Sequence, residues 1–247
     1  MMRVVISGAS SGIGEALVRL YASAGHTVGL MSRRQVAMQG DCVSYPVDVT
    51  DVRAVGAAAE DFMRRCGVPD LVIANAGISI GTSADALEDA EKLRRVLDVN
   101  VVGLAATLSA FAPAMRKRGS GTLAGIASVA GFRGLPGASA YSASKSAAIT
   151  WLESLRAELY GSGVAVVCVC PGYIDTPMTR VNRYRMPFII PADAGARKIA
   201  HAIARKRRLV VIPWQMAAAS VLWRLLPRWL YDRIASRAPR KPKDLPI

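Results

Sequence analysis

The sequence predicts an α/β protein: a single domain built on a doubly wound parallel sheet, with a helical extension at its C-terminus. Short apolar segments alternate with helical stretches, and strands are expected near residues 3–7, 27–32, 43–47, 70–74, 121–127, 164–170 and 209–212. Such alternation is typical of βαβ units, whose right-handed crossovers place helices on both faces of a parallel sheet. The chain also has no internal repeat or linker. We therefore expect a domain over residues 1–213 and an extension over residues 214–247.

Composition favours a folded cytoplasmic protein. Of the 247 residues, 52% are hydrophobic and 20% are charged, which indicates a compact core and not a disordered chain. The first predicted strand begins at Arg3, so no room remains for a cleaved signal peptide, and we expect a cytoplasmic location. The four cysteines show no C-x-x-C spacing. Cys168 and Cys170 alternate along an apolar strand and are interpreted as buried thiols, and no metal site is predicted.

A glycine-rich turn follows the first strand. Residues 3–14 read RVVISGASSGIG: a β-branched strand, the turn, and then an amphipathic helix that opens at about Ile13. Gly8, Gly12 and Gly14 let the backbone turn tightly and approach a pyrophosphate, which binds to the N–H groups at the helix N-terminus. The segment therefore predicts a dinucleotide site in a Rossmann-like sheet.

The end of the second strand bears on which dinucleotide binds. The segment TVGLMS ends in Ser32, and Arg33 and Arg34 follow it. An acidic residue here would hold the ribose hydroxyls and repel a 2′-phosphate, whereas guanidinium groups match phosphate in charge and geometry. We therefore predict that NADP(H) is preferred over NAD(H). The alternative is that both arginines are merely solvated on a loop.

Polar residues also mark the ends of later predicted strands. Asp48, Asn75, Ser128 and Pro171 each lie at or just after the end of a strand. In a doubly wound sheet, the carboxyl ends of the strands form the ligand crevice. These residues are therefore expected to lie close together.

Tyr141 and Lys145 are four residues apart in the helical run AYSASKSAAITWLESL. Residues at this spacing lie on one face of a helix, about 6 Å apart. A nearby ammonium favours the phenolate and is expected to lower the tyrosine pKa toward the range useful for acid–base catalysis. Ser128, after the apolar run LAGIA, is expected to present its hydroxyl beside the same phenol.

Together, these motifs resemble those of the short-chain dehydrogenase/reductase family, and the resemblance covers residues 3–212. Ser7 stands where that family usually has threonine, which conserves a hydroxyl. The matching pieces stand in family order: SGASSGIG at 7–14, Asp48 in VDVT, NAG at 75–77, Asn100 in VNVVG, Ser128, Tyr141 with Lys145, and PGYIDT at 171–176.

The resemblance implies an oxidoreductase that transfers hydride between a nicotinamide and a carbonyl or secondary alcohol, of the carbonyl reductase or alcohol dehydrogenase type. Tyr141 would be the acid in ketone reduction and the base in alcohol oxidation. Lys145 would bind the nicotinamide ribose and lower the pKa of Tyr141. Ser128 would hydrogen-bond the substrate carbonyl. Asn100 would bend its helix locally and fix a water in a proton relay.

The resemblance also implies which residues bind the cofactor and how subunits assemble. Family members are commonly homodimers or homotetramers built on long helices, here expected around residues 90–118 and 139–160. The implied cofactor-binding residues are Gly8, Ser10, Ser11, Gly12, Ile13, Gly14, Ser32, Arg33, Arg34, Asp48, Val49, Asn75, Ala76, Gly77, Tyr141, Lys145, Pro171, Gly172, Ile174 and Thr176.

The C-terminal extension is basic and rich in tryptophan. Of the net charge of +14, residues 197–247 carry +11, from 13 Lys/Arg and 2 Asp/Glu. The apolar run at residues 216–226 is too short to span a bilayer, which needs about 20 residues. Trp214, Trp223, Trp229 and Tyr231 of the extension interleave with arginines, as in segments that lie on an anionic membrane surface, here at the inner face. The alternative is a terminal helix pair that covers the site or forms a subunit interface. Nucleic acid is not expected as a partner.

The variable segment at residues 178–190 is apolar with three arginines, which favours a hydrophobic or lipid-like ketone as substrate. The alternative is that this composition serves packing alone. A rival function is a non-catalytic NADP(H)-binding regulator or a membrane-surface interaction protein. The presence of Ser128, Tyr141 and Lys145 argues against a protein without turnover.

Overall fold

A seven-stranded parallel sheet forms the centre of the computed structural model, which describes residues 1–36 and 40–242. The strand order is β3-β2-β1-β4-β5-β6-β9, so the order reverses between β1 and β4, as in a doubly wound sheet. The predicted fold class is confirmed. The strands are β1 Arg3–Ser7, β2 Thr27–Ser32, β3 Cys42–Pro46, β4 Leu71–Ala74, β5 Gly121–Ile126, β6 Val164–Pro171 and β9 Leu209–Ile212, with β7 Ile174–Asp175 and β8 Ile190–Pro191 paired separately.

Helices cover both faces of this sheet because successive strand side chains alternate between two apolar layers. Val5 and Val72 belong to one layer with the helices after β3 and β4, while Val4 and Ile73 belong to the other with the first and eighth helices. The helices are α1 Gly12–Ser23, α2 Val52–Cys66, α3 Ala90–Leu97, α4 Gly103–Ser109, α5 Ala112–Arg118, α6 Ser139–Glu158, α7 Pro177–Arg180, α8 Ala192–Ala204, α9 Trp214–Leu225 and α10 Arg228–Ala235.

The long helix expected at residues 90–118 is divided into α3, α4 and α5. A single π-helical turn, Asp98–Val102, joins α3 to α4 and contains Asn100, where a local bend was expected. By length and composition, the run Leu87–Arg118 could cross a membrane. Its apolar residues Val96, Leu104 and Met115 are instead fully or almost fully buried within the fold. We therefore assign it as a core element of the domain.

The C-terminal extension packs on the loop that follows β5. The Arg133 guanidinium lies 4.2 Å from the centre of the Tyr231 ring and donates a hydrogen bond to the Leu226 carbonyl oxygen. The Tyr231 hydroxyl donates to the carbonyl oxygen of Gly134 in the same loop. Helices α9 and α10 thus pack beside the segment that follows Ser128, but none of the described residues of either helix lines the cleft, and covering of the site stays a prediction. The domain boundary at residue 213 stays a prediction, and residues 243–247 of the extension lie outside the described residues.

Beyond α10, the chain crosses two further loops. A side chain at Gly137, whose φ is +76°, would come within 2.9 Å of the Arg240 Cα, and one at Gly81 would overlap the Pro242 carbonyl oxygen. The buried Lys241 ammonium lies 2.9 Å from the Ser79 hydroxyl. Glycine at both loop positions therefore gives the end of the described chain room to pass.

Candidate active site

The glycine-rich turn between β1 and α1 is packed directly against the end of β4. Gly8 and Gly12 have φ of +67° and +58°, a region that favours glycine. A Cβ at Gly8 would lie 2.7 Å from the Ala76 Cα, and a Cβ at Gly14 would overlap the Gly8 carbonyl oxygen. The backbone of the turn is therefore open to close approach by a ligand only on the side away from β4.

Hydrogen bonds fix the turn at the point where the strand order reverses. The Ser7 hydroxyl accepts from the backbone N–H groups of Asn75 and Ala76, at 3.2 and 3.3 Å. The Asn75 side chain donates to the carbonyl oxygens of Ser7 and Gly8, at 3.1 and 3.2 Å. Ser7 can thus do what a threonine hydroxyl would do here, and Asn75 supports the turn.

A cleft of about 750 Å³ lies above the turn, at the carboxyl ends of the parallel strands. Every residue predicted for the site lines this cleft except Gly14 and Asn100, which lie behind its wall. The other lining residues were not predicted to be catalytic or cofactor-binding, although Met178 and Thr179 belong to the variable segment at residues 178–190. These other lining residues are Val47, Thr50, Ile78, Arg95, Asp98, Val99, Ile126, Ala127, Pro177, Met178 and Thr179.

One end of the cleft is lined by both basic and acidic side chains. Ser32 is buried and its hydroxyl donates to the Arg34 carbonyl oxygen, whereas Arg33 and Arg34 are exposed. The Asp48 carboxylate accepts hydrogen bonds from the backbone N–H and hydroxyl of Thr50, at 2.9 and 2.8 Å. Burial alone would raise the pKa of Asp48, but these bonds, with the charges of Arg33 and Arg95, lower it. Asp48 is therefore an ionised acceptor at neutral pH.

At the other end, α6 presents Tyr141 and Lys145 on one face. The Lys145 ammonium lies 5.7 Å from the centre of the Tyr141 ring and donates to the Ile126 carbonyl oxygen at 2.9 Å. Ser128 caps a short 3₁₀ turn, where its hydroxyl accepts from the Ala130 N–H at 3.1 Å. The Ser128 hydroxyl also donates to the Pro171 carbonyl oxygen at 3.4 Å and acts on the Tyr141 phenol closely enough to exert a lowering effect on its pKa. The three predicted catalytic groups therefore share one wall.

The proton affinities at this wall are set mainly by burial. Burial raises the pKa of Tyr141, and the interaction with Ser128 offsets only part of this rise. Burial also lowers the pKa of Lys145 from 10.5 to about 8. The prediction that Lys145 lowers the Tyr141 pKa is therefore wrong for this structure, because desolvation of the phenolate is the largest effect and only the interaction with Ser128 opposes it.

Asn100 lies behind the wall that Ser128, Tyr141 and Lys145 form, and it is linked to that wall by hydrogen bonds. It is 1% exposed, and its side chain accepts from the Ile78 N–H and donates to the Ile78 carbonyl oxygen, at 2.8 and 3.0 Å. It also donates to the Ser144 hydroxyl, which in turn donates to the Tyr141 carbonyl oxygen. Asn100 is thus a positioning residue that ties the π turn to α6. Its expected role in holding a water stays a prediction.

Cys168 and Cys170 lie in β6 with their sulfur atoms 3.8 Å apart, and both are buried, as predicted. Over residues 1–36 and 40–242, no group of three His, Cys, Asp or Glu side chains is placed to hold a metal ion. The polar groups that face the cleft can hydrogen-bond a bound molecule and exchange a proton with it, through the Tyr141 and Ser128 hydroxyls.

Comparison with known proteins agrees with this geometry. The short chain dehydrogenase family model matches residues 2–186. An uncharacterized oxidoreductase from Myxococcus xanthus is 38% identical over 94% of this chain and 96% of its own length.

Two solved structures share the fold over nearly the whole chain. A short-chain dehydrogenase from Burkholderia cenocepacia in complex with NADP is 26% identical, covers 96% of this chain and 98% of its own, and superposes with a TM-score of 0.85. A short-chain dehydrogenase/reductase from Burkholderia phymatum in complex with NAD is 25% identical, covers 99% and 98%, and has a TM-score of 0.80. With the glycine turn and the shared wall of Ser128, Tyr141 and Lys145, these matches establish that the chain belongs to the short-chain dehydrogenase/reductase family of NAD(P)-dependent oxidoreductases.

Proposed function

We propose that this protein is an NADP(H)-preferring carbonyl reductase or alcohol dehydrogenase that acts on a hydrophobic ketone or the corresponding secondary alcohol. The observation that carries the proposal is the arrangement of the cleft. Ser128, Tyr141 and Lys145 line one end of it, while the glycine turn and the two arginines after β2 line the other. A molecule that spans the cleft would contact both groups.

The residues fit a nicotinamide dinucleotide. Gly8 and Gly12 leave the turn without side chains where a pyrophosphate would approach, and the helix N-terminus of α1 favours negative charge. Asp48 is an ionised acceptor for the adenine edge, and the Lys145 ammonium can reach ribose hydroxyls. When bound, the cofactor supplies or accepts the hydride. The protein supplies orientation and proton exchange.

Preference for NADP(H) is supported by charge at the end of β2. Ser32 stands at the strand end, so no carboxylate there repels a 2′-phosphate, and Arg33 and Arg34 are exposed on the cleft rim. Neither arginine forms an ion pair with a carboxylate in the described part of the chain. Both guanidinium groups are therefore available to a phosphate.

The proton chemistry favours reduction at neutral pH. A raised pKa keeps the Tyr141 phenol protonated, so it can donate to the carbonyl oxygen as charge develops there. The Ser128 hydroxyl is a second donor to the same oxygen. Alcohol oxidation instead requires the phenolate, so its rate should increase with pH beyond neutrality.

A hydrophobic substrate is supported by the segment between α7 and β8. Met178 lines the cleft, and Phe188 and Ile189 in the following loop are exposed. Arg180 in α7 is paired with Asp175, with the Arg180 Nε 2.7 Å from the carboxylate. Met178 therefore presents an apolar side chain to the cleft, and Phe188 and Ile189 add exposed apolar surface in the same segment. A cytoplasmic location and assembly as a homodimer or homotetramer stay predictions.

The proposal is tested by measuring consumption of NADPH and of NADH with a panel of ketones of increasing apolar size. We expect kcat/KM to be higher with NADPH and to rise with the apolar size of the ketone. An equal or better value with NADH would refute the cofactor preference. Binding of NADPH without turnover of any ketone would favour the non-catalytic regulator instead.

A further inference from the structure

One face of α9 is apolar and exposed. We define the α9 stripe as Trp214, Ala218, Val221, Leu222 and Leu225, which recur at the spacing of a single helical face. Leu222 is 64% exposed and Leu225 is 76% exposed. A continuous apolar helix face that the rest of the protein leaves exposed to solvent indicates an interaction surface.

The opposite face of α9 accounts for how the helix is held. Met216 packs against Gly172, where an added Cβ would lie 2.6 Å from the Met216 Cγ. Ser220 is buried, and the Trp223 ring packs edge-on against Tyr231 at 5.6 Å between ring centres. The core-facing side is therefore already occupied by the body of the protein, and the α9 stripe points away from it.

Arginines follow the α9 stripe along the chain, in α10 and the segment after it. Between residues 214 and 242 there are six basic residues and one acidic residue, Asp232. Arg228, Arg233, Arg237 and Arg240 are exposed, and none forms an ion pair with a carboxylate within the residues that the structure describes. Trp229, at the start of α10, is also exposed. The C-terminal extension thus carries both an exposed apolar strip, in α9, and exposed arginines that pair with no carboxylate among those described, from α10 onward.

We infer that this face docks on an anionic lipid surface. Helix α9 has 12 residues, too few to span a bilayer but enough to lie in its interface. Leucine and valine side chains would enter the acyl boundary, tryptophans would sit at headgroup depth, and arginines would contact anionic headgroups. Nucleic acid would use the charge but would leave the apolar strip in water. A protein partner would have to match both.

Docking would place the catalytic cleft close to the lipid. The residue that anchors α9, Met216, contacts Gly172 in the cleft wall, and Arg133 joins the loop after Ser128 to the end of α9. The docking proposal does not rest on the proposed reductase activity, because vesicle binding is measured without cofactor or ketone.

The test is co-sedimentation of the full chain with phosphatidylcholine vesicles that contain or lack phosphatidylglycerol. We expect binding to the anionic vesicles and at least tenfold weaker binding to the neutral ones. Leu222→Glu with Leu225→Glu should weaken binding at least tenfold. Arg233→Gln with Arg237→Gln should weaken it about 25-fold, at about fivefold per arginine.

Two matched controls separate docking from general effects of charge. Leu87→Glu changes a leucine that is 90% exposed elsewhere, and Arg116→Gln with Lys117→Gln removes two exposed charges from α5. Both should leave vesicle binding within about twofold of wild type, and far-UV circular dichroism with thermal unfolding should confirm that every variant is folded. The proposal is overturned if wild type does not bind anionic vesicles, or if the leucine pair binds them as well as wild type. It also fails if the leucine pair changes only the oligomeric mass in solution.

Discussion

Replacing Lys145 with methionine is expected to stabilise the fold at neutral pH while removing turnover. The side chain is almost fully buried, and its hydrogen bond within the protein is to the Ile126 carbonyl oxygen, at 2.9 Å. Burial lowers the pKa of Lys145 from 10.5 to about 8, which means that the folded state disfavours the charged form. At pH 7 the ammonium is charged both folded and unfolded, so folding must desolvate it.

The size of the effect follows from the same two pKa values. Their difference corresponds to about 3 kcal/mol of lost stability at pH 7. Loss of the hydrogen bond offsets ~1 kcal/mol, so Lys145→Met should raise the free energy of unfolding by about 2 kcal/mol. Between pH 8 and 10.5 the unfolded chain binds more protons than the folded one, so wild-type stability gains from this group as pH rises. The advantage of the variant should therefore disappear between pH 7 and pH 10, a change of about 2–3 kcal/mol.

The assay is urea unfolding of both proteins, followed by circular dichroism, at several pH values from 7 to 10. The informative quantity is the difference between the two free energies of unfolding, because other titrating groups contribute equally to both. Lys117→Met, an exposed site on α5, serves as the control and should show a difference near zero at every pH. A difference for Lys145→Met that does not change with pH would refute the assigned electrostatic cost.

Two further substitutions test the cofactor end of the cleft. Gly14→Ala should abolish binding of NADPH, since a Cβ there overlaps the Gly8 carbonyl oxygen. The control is Gly56→Ala in α2, where a Cβ would meet open space. It should leave NADPH binding unchanged and raise the free energy of unfolding by ~0.5–1 kcal/mol. Isothermal titration measures NADPH binding and thermal unfolding measures stability. Equal NADPH affinity of the two variants would contradict the role of the glycine-rich turn in binding the cofactor. Arg33→Gln with Arg34→Gln should lower kcat/KM for NADPH by at least ~10-fold and leave that for NADH within about twofold. An equal loss with both cofactors would indicate a structural effect instead.

Much of the fold could be predicted because its signals are local. A buried parallel strand is a short apolar run, and a turn that approaches a pyrophosphate requires glycine. Strand β1 and the turn at Gly8 and Gly12 can therefore be recognised from the local sequence. The carboxyl-edge rule then places Asp48 and Ser128 in one cleft. These residues do line it together.

Other features depend on contacts between distant parts of the chain. The spacing of Tyr141 and Lys145 predicts that they lie close together but does not predict how deeply they are buried. Burial is the main reason that the pKa of Tyr141 is raised. Arg95 reaches the cleft from α3, which no strand-end signal marks. The packing of Tyr231 on the loop at Gly134 joins positions almost a hundred residues apart. Such contacts form only in the tertiary fold, and no periodic pattern in the sequence predicts them.

The proposed reduction depends most on Tyr141, which we propose exchanges a proton with the substrate. The direct measurement is Tyr141→Phe, with NADPH affinity followed by fluorescence and ketone reduction followed in the same preparation. We predict that the Kd for NADPH stays within about twofold and that kcat falls by roughly 10²- to 10⁴-fold, because only the exchangeable proton is removed. A variant that binds NADPH normally and still turns over at more than a few per cent of the wild-type rate would contradict the account.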